Sequence, residues 1–178
     1  YKTEQTDLWA RLAQLEFEER YELLKSCKNM DFVDTYSGAF RKRDLLTIGG
    51  FDESFPRPEH EDVDLAFRIK KLGGKFVFST DAVVKHRHRE GLMSYFRLKI
   101  NRGRGRMRVY RLHPNKVGRE SYTPRSMKLQ LALLGLFPIL LFCRRGRKLL
   151  LSTWPILWLM SCFPLLRLAP RDLLPWVP

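Results

Sequence analysis

Two neighbouring stretches of this sequence decide the fold that we expect: Gly49-Gly50-Phe51-Asp52-Glu53 and, shortly after it, Glu61-Asp62-Val63-Asp64-Leu65-Ala66-Phe67-Arg68. The paired glycines permit a tight turn. The Glu-Asp doublet then opens a segment whose apolar residues recur at helical spacing, which predicts a helix over residues 61–72. A turn followed by two carboxylates at a helix start is typical of a catalytic base held at the rim of an active site.

The stretch from Ser37 to His88 resembles the second half of the catalytic domain of inverting glycosyltransferases of family 2, and it is similar to the C-terminal segment of the galactosyltransferases. The resemblance covers residues 1–115 and is most specific over residues 49–68. It implies an α/β fold, the acceptor-side half of a GT-A nucleotide-diphospho-sugar transferase domain. It also implies transfer of a sugar from a nucleotide-sugar donor to a saccharide or lipid-linked acceptor, in the synthesis of a cell-envelope polysaccharide or glycolipid.

By this resemblance, Asp62 is the catalytic base, and Glu61 orients the acceptor or supports Asp62. The alternative is that both carboxylates only cap the helix, because negative charge is favoured at a helix N-terminus. The run Asp62-Val63-Asp64 is not interpreted as the Asp-x-Asp metal motif, because it lies inside the helix. Asp64 is expected to face solvent or to pair with Arg68 four residues on.

Further residues are expected to border the substrate. They are Gly38, Gly49, Gly50, Phe51, Asp52 and Arg97. The alternatives are an ordinary turn at Gly38 and a helix end at Gly49. Arg97 is considered together with Arg102, Arg104 and Arg106, because guanidinium groups bind diphosphate or lipid phosphate through two-pronged contacts. A solvated or lipid-facing surface is the alternative for these arginines.

The resemblance implies Mg²⁺ or Mn²⁺ as the cofactor, with His86 and His88 as candidate ligands. Both follow a predicted strand over residues 75–84, and residues i and i+2 of a strand point the same way. The alternative is that they are exposed neighbours of Arg87 and Arg89.

The remaining periodicity predicts a second strand, with a turn, over residues 31–40. It also predicts helices over residues 7–25, 41–48 and 92–112, the first capped by Asp7 and the last interrupted by Gly103 and Gly105.

The net charge of +14 is concentrated in residues 85–128, which hold 14 Lys and Arg but only two acidic residues. This block precedes two apolar runs, residues 129–143 and 149–166, which flank a basic turn at 144–148. We therefore expect an all-α hydrophobic hairpin at a membrane, either crossing it or re-entrant, and anionic lipid rather than nucleic acid as the partner. A buried helical pair in a soluble core is the alternative.

The expected domains are the catalytic half (1–115), a basic linker (116–128) and the membrane hairpin (129–178). The catalytic part would lie in the cytoplasm, at a bacterial inner membrane. The three cysteines form no Cys-x-x-Cys pair, which argues against a zinc site or a disulfide framework and favours a reducing compartment.

The chain begins with Tyr1 and has no Asp-x-Asp at a strand end, so we expect a fragment without the donor-binding half that is inactive in isolation. If it were active, the donor site would have to be sought among Asp31, Asp34 and Asp81. The rival function class is a non-catalytic basic membrane adaptor that binds anionic lipid or protein partners.

Overall fold

The computed structural model describes residues 2–56 and 58–142, followed by residues 146, 148, 152, 154–157, 159 and 167. Over this part the chain is helical, with turns and extended segments between the helices. The α-helices are α1 (Leu8–Ser26), α2 (Lys42–Thr47), α3 (Glu61–Lys71), α4 (Leu92–Leu112) and α5 (Arg125–Phe142). Short 3₁₀ helices occur at Thr35–Ser37 and Pro114–Lys116.

Helix α1 begins where its cap predicts. The Asp7 carboxylate accepts hydrogen bonds from the backbone N–H groups of Trp9, at 3.1 Å, and Ala10, at 3.0 Å. These bonds satisfy donors that a helix start leaves unpaired. The predicted cap is therefore confirmed.

Helices α2 and α3 also lie where the sequence predicts them. The Gly49-Gly50 pair ends α2: both glycines have positive φ, and the Gly50 N–H donates to the Leu45 carbonyl at 2.9 Å. Helix α3 buries Val63 and Phe67 among its apolar residues.

Helix α4 is continuous, so the predicted interruption at Gly103 and Gly105 is wrong. A glycine costs a helix about 1 kcal/mol relative to alanine, and tertiary contacts outweigh that cost here. Near the start of α4, Tyr95 and Lys99 both donate to the Glu16 carboxylate on α1.

The hydrophobic core joins α1, α3 and α4 to two connecting segments. Its members are Leu24, Met30, Phe32, Val63, Phe67, Val109 and Tyr122. Three charged or polar contacts fasten the segment at Asp31 to the chain after α4. The Asp31 carboxylate accepts from the Ser121 hydroxyl at 2.6 Å, the Ser121 N–H at 2.9 Å and the Lys116 ammonium at 2.8 Å.

The predicted α/β fold, the acceptor-side half of a GT-A domain, is wrong for the part of the chain that the structure describes. Residues 31–40 and 75–84 contain no strand, and the single β-bridge among the described residues joins Lys2 to Lys85 in parallel. A strand needs a neighbour with which its backbone N–H and C=O groups can pair. Phe76 and Phe78 keep their alternation, but they pack against the helical core instead.

The expectation of a membrane-crossing hairpin also needs correction. No helix within the described ranges is long and apolar enough to cross a membrane. Helix α5 starts with Arg125 and contains Lys128, so its uncharged part falls short of the roughly 20 residues that a crossing requires. The second apolar run, residues 149–166, lies largely outside the described residues.

The two glycines of α4 allow a matched test of how this helix packs. A Cβ at Gly105 would lie 2.8 Å from Nδ1 of His60 and 3.0 Å from the Glu59 carbonyl, whereas a Cβ at Gly103 meets nothing within 4 Å. We expect Gly103→Ala to raise the free energy of unfolding by about 0.5–1 kcal/mol through helix propensity. Gly105→Ala should lower it by about 1–3 kcal/mol through overpacking.

Urea titration followed by circular dichroism measures both changes. Equal stabilisation by the two substitutions would contradict the close approach of α4 to the segment before α3.

Candidate functional site

Asp34 is a buried carboxylate at which α1 meets the first 3₁₀ helix. It accepts hydrogen bonds from the Tyr21 hydroxyl and the Tyr36 hydroxyl, both at 3.1 Å, and from the Arg20 guanidinium at 3.5 Å. Burial raises the pKa of Asp34, while Arg20 and the bond from Tyr21 act in the opposite direction. A second carboxylate close to Asp34 will therefore be harder to ionise.

That second carboxylate is Asp62, in the first turn of α3. Its Oδ1 accepts a hydrogen bond from the Val63 N–H at 2.8 Å. Burial raises the pKa of Asp62 to about 7, and the negative charges of Asp34 and Glu61 act in the same direction. A carboxyl group that titrates near neutral pH can both take up and release a proton under working conditions.

Glu61 lies beside Asp62 at the start of α3. Its Oε2 is buried and has no hydrogen-bond partner within the described part of the chain. A buried carboxylate oxygen that is left unpaired is costly, and such groups concentrate at functional sites.

Two arginines supply positive charge to these acids. Arg20 on α1 and Arg102 on α4 both lie over the Phe17 ring, with their guanidinium carbons 4.9 Å and 5.2 Å from its centroid. Burial lowers the pKa of Arg102, and the positive charge of Arg20 lowers it further. Arginine stays charged even so, and two buried guanidinium groups close together form a site that favours an anion.

His60 shapes the entrance to α3. Its φ of 71° is the only positive φ at a non-glycine residue in the described chain. Burial lowers its pKa to about 3, with Arg106, Arg102 and Arg20 acting in the same direction. A neutral imidazole held in strained backbone directly before Glu61-Asp62 is the kind of strain that gathers at functional sites.

His86 and His88 lie together, with ring centroids 4.8 Å apart. The His86 ring stacks on Tyr36, which places it next to Asp34. His88 is buried, and its Nε2 pairs with Oε1 of Gln14 at 2.9 Å. Burial lowers the pKa of His88 to about 4, with His86 and Arg102 acting in the same direction.

These two histidines do not fit the predicted Mg²⁺ or Mn²⁺ site. The described residues contain no group of three or more His, Cys, Asp or Glu side chains that could hold a metal ion. Hard divalent cations favour oxygen ligands, and the electrostatic influence of Arg102 reaches both rings.

Gly38 is the expected substrate residue that lies beside the acidic cluster. A Cβ there would come within 2.6 Å of Cγ1 of Val33 and 2.8 Å of the Asp34 carbonyl, so the backbone can turn at Asp34 only without a side chain. Gly38 and Asp34 both line a cavity of about 1010 Å³, which opens between α1, α2 and the extended segment at Phe76 and Phe78.

The other expected substrate residues lie apart from the contacts around Asp34. The Gly49-Gly50 turn connects to α3 through Nη1 of Arg68, which donates to the Ile48 carbonyl at 2.9 Å. Phe51 is exposed. Asp52 accepts from the Ser54 N–H at 2.9 Å, and bonds from Ser54 lower its pKa.

Arg97 is exposed on the outer side of α4, away from the acidic cluster. Asp64 has the predicted pairing with Arg68, at 2.7 Å, but it is buried rather than solvent-facing. It also holds Nε2 of His113 at 2.7 Å, so it is a structural link between α3 and the end of α4.

Sequence reasoning did not assign Arg20 or Tyr36 to the site. Arg20 sits within a helix rich in charge, and nothing local distinguishes it from solvent-facing arginines. One signal was available for Asp34: an acid followed by Thr35-Tyr36-Ser37, directly after the apolar pair Phe32-Val33.

No protein-family model, curated protein or solved structure matches this chain. The resemblance to family 2 glycosyltransferases therefore rests on the sequence motifs alone.

The raised pKa of Asp62 predicts a pH-dependent effect on stability. Its pKa is about 7 in the folded chain and about 4 in an unfolded chain. The folded state holds the proton more tightly, so the contribution of Asp62 to stability is lost as the pH rises from about 4 to about 7. We expect Asp62→Asn, which does not titrate, to be more stabilising relative to wild type at pH 8 than at pH 4, by up to about 4 kcal/mol.

Urea titrations of both proteins across this pH range measure the difference. Asp81→Asn, at an exposed position, is the matched control and should show no such trend. A wild-type-to-variant difference that does not vary with pH would contradict the burial of Asp62.

Proposed function

We propose that this chain carries the catalytic base of an inverting glycosyltransferase, which moves a sugar from a nucleotide-sugar donor to a hydroxyl of a saccharide or lipid-linked acceptor. The observation that carries the proposal is the pairing of Asp62, whose pKa is about 7, with buried guanidinium groups. The family resemblance independently assigns Asp62 the role of base. The proposed setting is the cytoplasmic side of a membrane, in cell-envelope polysaccharide or glycolipid synthesis.

The proposed reaction begins with ionised Asp62. Its carboxylate takes the proton of the acceptor hydroxyl while the hydroxyl oxygen bonds to the anomeric carbon of the donor sugar. The bond from that carbon to the diphosphate oxygen breaks, and its electron pair leaves with the nucleoside diphosphate. Attack from the side opposite the leaving group inverts the anomeric configuration.

The leaving diphosphate needs positive charge nearby. Arg20 and Arg102 are the described cations that are buried close to the acids, and a preorganised guanidinium in a buried site stabilises developing negative charge strongly. In this proposal they receive the diphosphate. No step is assigned to a metal ion, since the described histidines do not form a ligand set for one.

Asp34 and Glu61 have supporting roles in the proposal. Their charges act to raise the pKa of Asp62, which keeps the base close to the proton affinity that transfer at neutral pH requires. The Tyr21 and Tyr36 hydroxyls hold Asp34 in place.

Replacing the base should abolish turnover without abolishing folding. In the complete gene product, we expect Asp62→Asn to lower kcat by about 10²–10⁴-fold, the range typical of general-base loss. In the unsubstituted protein, kcat should rise with pH up to about 7 and then level off, because the base must be ionised. Incorporation of radiolabelled sugar from UDP-galactose, UDP-glucose or GDP-mannose into membrane acceptors measures both.

Asp81→Asn is again the matched control, and it should retain the rate of the unsubstituted protein. If Asp62→Asn retains turnover within a few-fold, Asp62 is not the base.

The arginine pair gives a separate prediction for donor binding. Arg102→Gln should weaken binding of UDP by about 10- to 100-fold, the loss expected when a charged hydrogen-bond partner is removed. Arg102→Lys, which keeps the charge but not the fork, should lose less. Titration calorimetry on the complete gene product measures the affinities, with Arg119→Gln at an exposed position as the control. Unchanged affinity in Arg102→Gln would exclude this arginine from the diphosphate site.

A further inference from the structure

The outer face of α4 carries two parallel rows of side chains, each with a spacing of seven residues. One row is apolar: Met93, Ile100 and Met107. The other is basic: Arg97, Arg104 and Arg111. Seven residues make about two helical turns, so each row runs along one side of the helix. The offset of four residues puts the rows side by side, over a length of about 27 Å.

The apolar row is open to solvent. Met93, Phe96, Ile100 and Met107 are between 52% and 69% exposed, although α4 belongs to the folded core. The helix is anchored through its other sides, where Tyr95 reaches Glu16 on α1 and Val109 is buried. The exposed apolar row therefore has no function in the packing of the described chain.

The basic row lacks compensating charge. Arg97, Arg104 and Arg111 are exposed, and none of them makes an ion pair or a side-chain hydrogen bond within the described part of the chain. Residues 85–128 as a whole hold 14 Lys and Arg against two acidic residues. The partner of this face must therefore be negatively charged.

We propose that α4 lies in the plane of a membrane surface, with the Met93–Ile100–Met107 row among the upper acyl chains and the Arg97–Arg104–Arg111 row on acidic phospholipid headgroups. An apolar row beside a basic row is the arrangement by which interfacial helices bind anionic bilayers. Helix α5 extends the same chemistry, because its described apolar side chains are almost all exposed. This inference does not depend on the proposed transfer reaction.

Two other partners fit this face less well. Duplex nucleic acid would satisfy the arginines through its phosphates but would leave Phe96 and Ile100 in water. A second copy of the chain would bring the two arginine rows together, and like charges across an interface are repulsive.

The decisive experiment measures the depth of α4 in a bilayer. A fluorescent label is placed on Ile100→Cys in the full chain, after the three native cysteines have been replaced by alanine. Phosphatidylcholine vesicles with brominated acyl chains, with and without phosphatidylglycerol, are then added. The label should be quenched only when phosphatidylglycerol is present. A label on Leu46→Cys, 70% exposed on α2, is the matched control and should stay unquenched.

Two results of this experiment would overturn the proposal. One is vesicle binding with an unquenched label at residue 100. The other is equal quenching at residues 46 and 100. A response of the residue-100 label to duplex DNA but not to vesicles would also overturn it, in favour of nucleic acid.

A second measurement needs no label. The combined change of Arg97, Arg104 and Arg111 to Gln should lower partitioning to phosphatidylglycerol vesicles by at least tenfold, since each arginine near such a surface contributes about fivefold. The control changes Lys28, Lys42 and Lys75 to Gln, at exposed positions away from α4, for the same loss of charge. An equal loss in both variants would show attraction to net charge alone and would reject the α4 surface.

Discussion

The burial of acidic side chains where α1, α3 and α4 meet constrains the rest of this structure. Asp34 and Asp62 are held in a region that penalises their ionisation. Arg20 and Arg102 reduce the penalty by bringing positive charge from two different helices. A buried charge without such a partner would cost several kcal/mol, so the three helices must keep their mutual positions. The stability of the fold and the chemistry proposed for the site thus depend on the same electrostatic balance.

Helix α4 has a different function on each of its sides. Its inner side brings Arg102 to the acids and packs Gly105 against His60, while its outer side presents Ile100 and Arg97. The helix is about 10–12 Å across. A membrane bound to the outer side would therefore lie close to the candidate site, and that distance suits an acceptor anchored in lipid. The two proposals are compatible, but neither requires the other.

The sequence predicted the helices well because helix signals are local. Asp7 caps α1 through its own neighbours, and Gly49-Gly50 ends α2 within a single turn. The strands failed because a strand depends on a distant partner: Phe76 and Phe78 alternate as strand residues do, but they found helices to pack against. The interruption expected in α4 failed for the same reason, because contacts with Glu16 on α1 support the helix across its glycines.

For the candidate site, the sequence by itself determined that Glu61 and Asp62 open α3, because the doublet, the preceding turn and the apolar spacing all lie within about twenty residues. Only the tertiary structure decided that Asp34 and Arg102 are close enough to act on Asp62. They come from separate elements, and local pattern carries no information about which elements meet. The pKa of Asp62 depends on burial and on charges brought from distant parts of the chain, so it belongs to the folded protein and cannot be assigned from the sequence alone.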